Sequence, residues 1–498
     1  MSEPVLGPLP SAQPLGVTAA RGVFWTGAGQ IARQVIQIVT SVVLARLLVP
    51  EDFGLVGMAM VFLAVAQLFV DFGVGAAIVH ARTSDRTVLS SCFWANACVA
   101  GAFAVLVALI SPLAGTWYRD PRIPSVLAAL CLSLAFSGLT VVPGSILYRD
   151  MSFAKLAKAQ VLASIAGAGV AVGAAWLGGG VWSLVAQPVV GGLVTLVLMV
   201  TYSRWWPALT FSWQSIRDLI HFSANLLGSN LLTYATRNTD SFLIGRYVGP
   251  VGLGYYSLAY QIMLYPLSQV SSVIVRVLFP TLSQLRGQEE RFRNAYLKSI
   301  SAIALVTFPI MMGLFAVAQD FVTVVFGEKW LPMLPVLKIL CWVGMLQSIG
   351  TTVGTIYLAT GRMHVAFKFL LVAAPVLVLA FIVGLSWGIV GVATAYAAAS
   401  FGLFYVSLTI AFRIACIRLR DFHAAIARPL LASVVMLVVV TVSTSILQQW
   451  GIWERLGTEI GIGVLAYAGA TLLLNKRQLR ELLAITRAAL SKSVPTQA

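Results

Sequence analysis

Charged residues are scarce in this chain. Asp, Glu, Lys and Arg make up 10% of its 498 residues, against about 25% in an ordinary soluble chain. That scarcity excludes the three or four soluble domains such a length could hold. Cysteine is also scarce. The five cysteines (Cys92, Cys98, Cys131, Cys341, Cys416) lie in or beside apolar runs, and none has CxxC or CxxxH spacing. They read as small core residues, not as a metal centre. There is no GxxxxGK[ST] phosphate loop and no DxD or HExxH motif, which excludes the chemistry those patterns support. The four histidines (His80, His221, His364, His423) are scattered near helix ends and read as interfacial side chains. A secretory signal is missing too. Residues 1–20 carry Glu3 as their only charge and lack a basic region followed by a short apolar one. They read as a disordered cytoplasmic leader.

What is present is hydrophobic sequence. Hydrophobic residues fill 59% of the chain and the mean hydropathy is +0.90. Fourteen apolar runs can be counted, each near the roughly 20 residues that cross a bilayer. They begin with 24–47 and 53–79, continue through 218–244 and 251–275, and end with 366–386, 389–411, 427–447 and 456–474. Pro and Gly fall where turns are needed, at Pro50, Pro112, Pro121, Gly178–Gly180, Pro207, Pro250, Pro280, Pro332 and Pro335.

The runs repeat. Leu44–Ala59 reads LARLLVPEDFGLVGMA, and Ile244–Ala259 reads IGRYVGPVGLGYYSLA. Without a gap, Arg46 falls on Arg246, Pro50 on Pro250, Gly54 on Gly254 and Ala59 on Ala259. A second pair of segments ends at Cys131 and Cys341, each a charged loop, a proline and an apolar helix. The expected fold is therefore all-α and membrane-integral, with two homologous six-helix lobes and an extra helix pair. The expected division is a leader 1–20, an N-lobe 21–210, a C-lobe 211–415, a hairpin 416–475 and a basic cytoplasmic tail 476–498.

Orientation follows from the basic residues. With the N-terminus inside, 24 Lys and Arg fall on inside segments and eight on outside ends, while Arg33 lies within the first run. This bias and the even span number place both termini in the cytoplasm. The net charge of +16 then reflects topology and contact with lipid headgroups. No nucleic-acid partner is needed to explain it.

Polar groups at membrane depth mark interior cavities. Arg33 lies about nine residues into the first run, and Gln30, Arg33, Gln34 and Gln37 share one helix face. An anion-binding wall and a structural Arg with a carboxylate partner are both open readings. The seventh run carries Asn225, Asn230, Tyr234 and Arg237, with Asp240 three residues on. Arg237 is a second candidate cavity cation or half of an ion pair with Asp240. Asp71 in the second run is the other intramembrane acid, either a coupling group or an interhelical partner. Arg276 lies near the inner end of the eighth run. Gln67, Tyr260, Gln261, Tyr265, Gln269 and Gln347 add hydrogen-bonding capacity of the kind sugars need. Gly167–Gly173, GAGVAVG, reads as small-residue helix packing. The pattern is that of a secondary transporter or flippase, not an enzyme.

The first loop LARLLVPEDFGLVGMA, the sequence DFGVGAAIVHAR after it and VFGEKWLPMLPVLKIL before the tenth run resemble bacterial polysaccharide exporters. These are Wzx-type flippases of the multidrug/oligosaccharidyl-lipid/polysaccharide superfamily, and the colanic-acid and teichuronic-acid branch is the most similar. The resemblance spans about Arg21 to Leu474. It implies a MATE-like fold with alternating access in the bacterial inner membrane. It also implies an undecaprenyl-pyrophosphate-linked oligosaccharide as substrate, and a polysaccharide polymerase and co-polymerase as partners. A cationic cavity is implied as well, placed here at Arg33, Gln34, Gln37, Asn230, Arg237, Gln261 and Arg276. Asp71 and Asp240 are the candidate coupling acids. No cofactor is implied beyond coupling to H⁺, Na⁺ or membrane potential.

Three other readings stand beside this one. A MATE-type drug or cation antiporter needs an acidic cavity, whereas the deepest charge here is Arg33. A membrane glycosyltransferase or polymerase needs a large outer catalytic loop, and the outer loops are short. A lipid II flippase shares the superfamily and the pyrophosphate.

Overall fold

Hydrocarbon offers no water to a backbone N–H or C=O, so a segment that crosses it must satisfy those groups within itself. All regular structure among the described residues is accordingly helical. The computed structural model describes residues 15–70, 78, 85–212, 234 and 238–474. Asp71, Asn230 and Arg237 lie outside the described residues, as do Asn225 and most of the expected seventh span.

The chain divides into two compact units, Met1–Asn238 and Thr239–Ala498. The first holds α1 (Leu15–Leu47), α2 (Pro50–Val70), α3 (Arg86–Tyr118), α4 (Ile123–Arg149), α5 (Phe153–Trp176) and α6 (Val181–Ser203). The second opens with a helical stretch 239–247. It continues with α7 (Pro250–Gln284), α8 (Glu289–Ala316), the short α9 (Ala318–Val325) and α10 (Leu334–Thr360). It ends with α11 (Met363–Gly384), α12 (Gly388–Ala415), α13 (Leu419–Ile446) and α14 (Ile452–Leu474).

Eleven described segments are long and apolar enough to cross a membrane, or twelve if α7, bent by 40° between Ser271 and Val273, counts as one span. One of these segments, Met363–Ala415, has 53 residues. At 1.5 Å per residue that is far more than one crossing. It contains α11 and α12, which pack against each other as a hairpin. The hairpin closes at Gly388, whose φ of +66° suits glycine. A Cβ on Gly384 would come 2.6 Å from the Gly391 carbonyl, so only glycine permits the close crossing. The multi-pass all-α architecture is thus present, while the count of fourteen also depends on the largely undescribed span 218–244.

The repeat seen in the sequence is also a repeat in structure. Leu48 N–H donates to the Leu44 carbonyl at 2.8 Å, and Val248 N–H donates to the Ile244 carbonyl at 2.8 Å. Pro50 and Pro250 then open α2 and α7, where a missing N–H costs no helical bond. Leu44 and Ile244 are both buried, as are Ala59 and Ala259 and the two cysteines Cys131 and Cys341.

In the first unit, Asp85 caps α3 by accepting from Thr87 N–H at 2.8 Å. The buried Asn96 amide donates to the Gly138 carbonyl at 2.8 Å, fastening α3 to α4. In the turn between them, Arg122 donates to Asp120 at 2.8 Å and also pairs with Glu51 at the start of α2. The Arg122 guanidinium holds the Asp120 carboxyl below the usual carboxylate range. Small residues bring three helices close. A Cβ on Gly29 of α1 would lie 2.8 Å from the Ala157 Cβ of α5, and one on Gly167 of α5 would lie 2.6 Å from the Gln187 carbonyl of α6. The Gly167–Gly173 stretch therefore does supply close packing, through Gly167.

In the second unit, a seam of hydroxyls runs between α7, α8 and α10. Ser271 donates to the Ser348 carbonyl at 3.1 Å, Thr307 donates to the Ser348 hydroxyl at 3.0 Å, and Tyr296 and Thr352 meet at 3.0 Å. The hairpin α13–α14 fastens to α8 through Ser301 donating to the Ala425 carbonyl and Tyr467 donating to the Leu305 carbonyl.

Gly167→Val should destabilise the first unit by about 1–3 kcal/mol, the usual effect of forcing atoms into a packed contact. Gly169→Ala is the control, because its Cβ would meet nothing within 4 Å. Thermal unfolding in detergent should show a lower transition for the first variant and little change for the second.

Candidate functional site

Where α1, α5 and α6 meet, their packing leaves a cavity of about 430 Å³ inside the first unit. The polar face of α1 read from the sequence lines it with Gln30, Arg33, Gln34 and Gln37. α5 contributes Gln160 and Ser164, and α6 contributes Gln187 and Thr195. Gly167, Gly191 and Gly192 form the floor, where absent side chains leave room. Among the described residues, no Asp or Glu lines this cavity.

Arg33 is half-buried. One terminal nitrogen of its guanidinium donates to the Gln30 side-chain oxygen, one helical turn back. Its Nε is buried and, among the described residues, has no hydrogen-bond partner. A buried guanidinium N–H that lacks an acceptor is a strong donor awaiting one. Among the described residues that line the cavity there is no carboxylate partner of the kind a purely structural Arg33 would need. The glutamine amides supply both donors and acceptors. Ser164 and Thr195 donate to the carbonyls of Gln160 and Gly191 at 2.8 and 2.7 Å, which leaves their oxygens able to accept. The arrangement can hold an anion with hydroxyl-bearing groups beside it.

Of the residues singled out in the sequence, Arg33, Gln34 and Gln37 are brought together. Gln160 and Gln187 are cavity residues that the reading of α1 alone missed. Both are amides within apolar runs, the same signal that marked the α1 face. Gln67 accepts from Ser137 at 3.2 Å across α2 and α4.

The remaining candidates belong to the second unit. Asp240 is 3% exposed. Its carboxylate accepts from the Tyr256 hydroxyl at 2.9 Å and from the Ser241 N–H at 2.6 Å. Tyr256 stacks on Tyr260, which packs on Tyr396. Gln261 donates to the Tyr265 hydroxyl at 2.7 Å, so that face of α7 is hydrogen-bonded internally. Arg276 is exposed on α7, past its bend.

Residues 43–335 match the family model described as a polysaccharide biosynthesis protein. The chain is 29% identical to the lipopolysaccharide biosynthesis protein WzxC of Escherichia coli K12, over 70% of this chain and 71% of that protein. It is 28% identical to the teichuronic acid biosynthesis protein TuaB of Bacillus subtilis 168, over 70% and 72%. In fold it is similar to the lipid II flippase MurJ in its inward closed conformation. That TM-score is 0.72 at 16% identity, covering 91% of this chain and 99% of that one. An inward-facing MATE family multidrug resistance transporter of the MOP superfamily gives a TM-score of 0.59 at 13% identity, covering 77% and 95%. At such identities the likeness is one of fold, and it is the MATE-like fold that the sequence implied.

Tyr256→Phe removes only the hydroxyl that serves buried Asp240. It should destabilise the protein by about 1.5–3 kcal/mol, the range for hydrogen bonds to charged groups. Asp240→Asn and the double variant complete the cycle. Unfolding transitions in detergent should be clearly non-additive, because both changes act on the same contact.

Proposed function

Because the chain belongs to the polysaccharide biosynthesis protein family, we propose that it is a flippase for polyprenyl-pyrophosphate-linked oligosaccharide repeat units. It carries them from the cytoplasmic to the outer leaflet of the bacterial inner membrane, and both of its termini lie in the cytoplasm. The observation that carries this reading is the Arg33 guanidinium, with an unpartnered Nε, in a glutamine-lined cavity of a membrane-spanning unit.

A pyrophosphate with a glycan cannot cross about 30 Å of hydrocarbon unaided. Arg33 meets the phosphate oxygens with a planar, permanently charged fork. Gln160, Gln187 and the α1 glutamines offer the mixed donors and acceptors that sugar hydroxyls need. The polyprenyl tail is apolar and stays in lipid. The chemistry is carriage without bond-making, so no catalytic residue is required. A drug or cation antiporter is disfavoured by a cavity that holds an Arg and, among the described residues, no acid. A lipid II flippase would present the same pyrophosphate, and the biosynthetic names of the sequence relatives favour the polysaccharide substrate.

Arg33→Ala should abolish polymer export while the protein stays at its normal level in the membrane. Arg33→Lys should restore only part of it, because an ammonium is a point charge without the fork. Full export by the alanine variant would sink the assignment of Arg33. Orientation is tested separately with phosphatase and fluorescent reporters. A fusion after Thr83 should report cytoplasm and one after Gly179 the outer side.

A further inference from the structure

A second cavity, of about 500 Å³, lies within the second unit. It sits where the end of α8 and the start of α9 meet α10, α13 and α14. The basic-residue bias puts these ends on the outer side of the membrane. Asp320, Lys338, Arg455 and Glu459 are its charged residues, with Gln319, Thr444 and Gln448 beside them. Three of the four charges are engaged. Arg455 donates through Nε and a terminal nitrogen to the two oxygens of Asp320, tying α14 to α9. The Lys338 ammonium sits 5.6 Å from the centroid of the Phe315 ring.

Glu459 is the exception. It is 1% exposed, and among the described residues neither of its carboxyl oxygens has a hydrogen-bond partner. The Thr444 hydroxyl is within hydrogen-bonding reach of it and is also placed to donate to the Val440 carbonyl, at 2.9 Å. While its hydrogen stays on that carbonyl, the hydroxyl can only accept. It therefore turns lone pairs toward an ionised carboxylate and an acceptor toward a protonated one. An ionised carboxylate with no donor at this depth is strongly disfavoured. A metal ion is a poor remedy. Arg455 and Lys338 already bring two positive charges to the pocket, and no group of three or more His, Cys, Asp or Glu able to hold a metal occurs among the described residues.

We propose that Glu459 is a proton-binding site, its carboxylic acid donating to Thr444. When the proton leaves, a negative charge appears one helical turn from Arg455. It then competes with Asp320 for the same guanidinium and loosens the tie between α14 and α9. The proton site stands on its own geometry. Its use in driving transport rests on the flippase reading above.

Infrared difference spectroscopy of the purified full chain in lipid nanodiscs, between mildly acidic and alkaline buffer, tests the site without any transport assay. The wild type should show a protonated carboxyl band that Glu459→Gln lacks, with Thr444→Val shifting its frequency. Thr444→Val also serves as the readout if Glu459→Gln fails to fold. Identical carboxyl bands in the wild type and both variants would overturn the proposal. So would a Na⁺-dependent rise in wild-type thermal stability, lost in Glu459→Gln, with no such band. Polymer export is then measured in Glu459→Gln. A loss of at least tenfold, with Arg33-dependent substrate binding retained, supports coupling. Export equal to wild type removes the coupling role and leaves the proton site intact.

Discussion

A backbone amide buried in hydrocarbon must find its partner within its own segment, and the rest of this protein follows from that constraint. It makes every described span a helix, so the variables left are how closely helices approach and which polar side chains face one another. Close approach is set by small residues. Gly29 against Ala157 and Gly167 against the Gln187 carbonyl draw α1, α5 and α6 together without filling the space beside them. The cavity at Arg33 is what that packing leaves open. Polar side chains then face each other across it because the lipid side offers them nothing.

Much of this was legible in the sequence because it is periodic or local. The match of Leu44–Ala59 with Ile244–Ala259 carried over into equivalent turns and equivalent buried positions. Gln30, Arg33, Gln34 and Gln37 were placed on one face by helical spacing alone, and they do line one cavity. The number of spans was harder to read from the chain of helices. Met363–Ala415 is one continuous apolar stretch broken only by a tight glycine-bearing turn, and length had to decide that it crosses twice.

Contacts between helices distant in sequence were not legible. Nothing local to Gln160 or Gln187 says that both line the cavity that holds Arg33, since each sits in an otherwise apolar run on a different helix. The same holds for Asp320 and Arg455, which are 135 residues apart and pair through two guanidinium nitrogens. Glu459 lies in what reads as an accessory hairpin, and only tertiary packing reveals that its carboxyl group has no donor. Asp240 shows the reverse case. The sequence offered Arg237 as its neighbour, and the structure adds Tyr256 from the following helix, a donor that neutralises nothing but satisfies the oxygen.

Every residue lining the Arg33 cavity belongs to the first unit. A ligand held only by those groups meets the same contacts whatever the second unit does. A ligand with equal affinity for two conformations shifts no population between them, however tightly it binds. Grip and direction are therefore separable in this chain. On the proposed flippase reading, the bias that turns the cycle one way has to be supplied by groups whose surroundings change with the conformation.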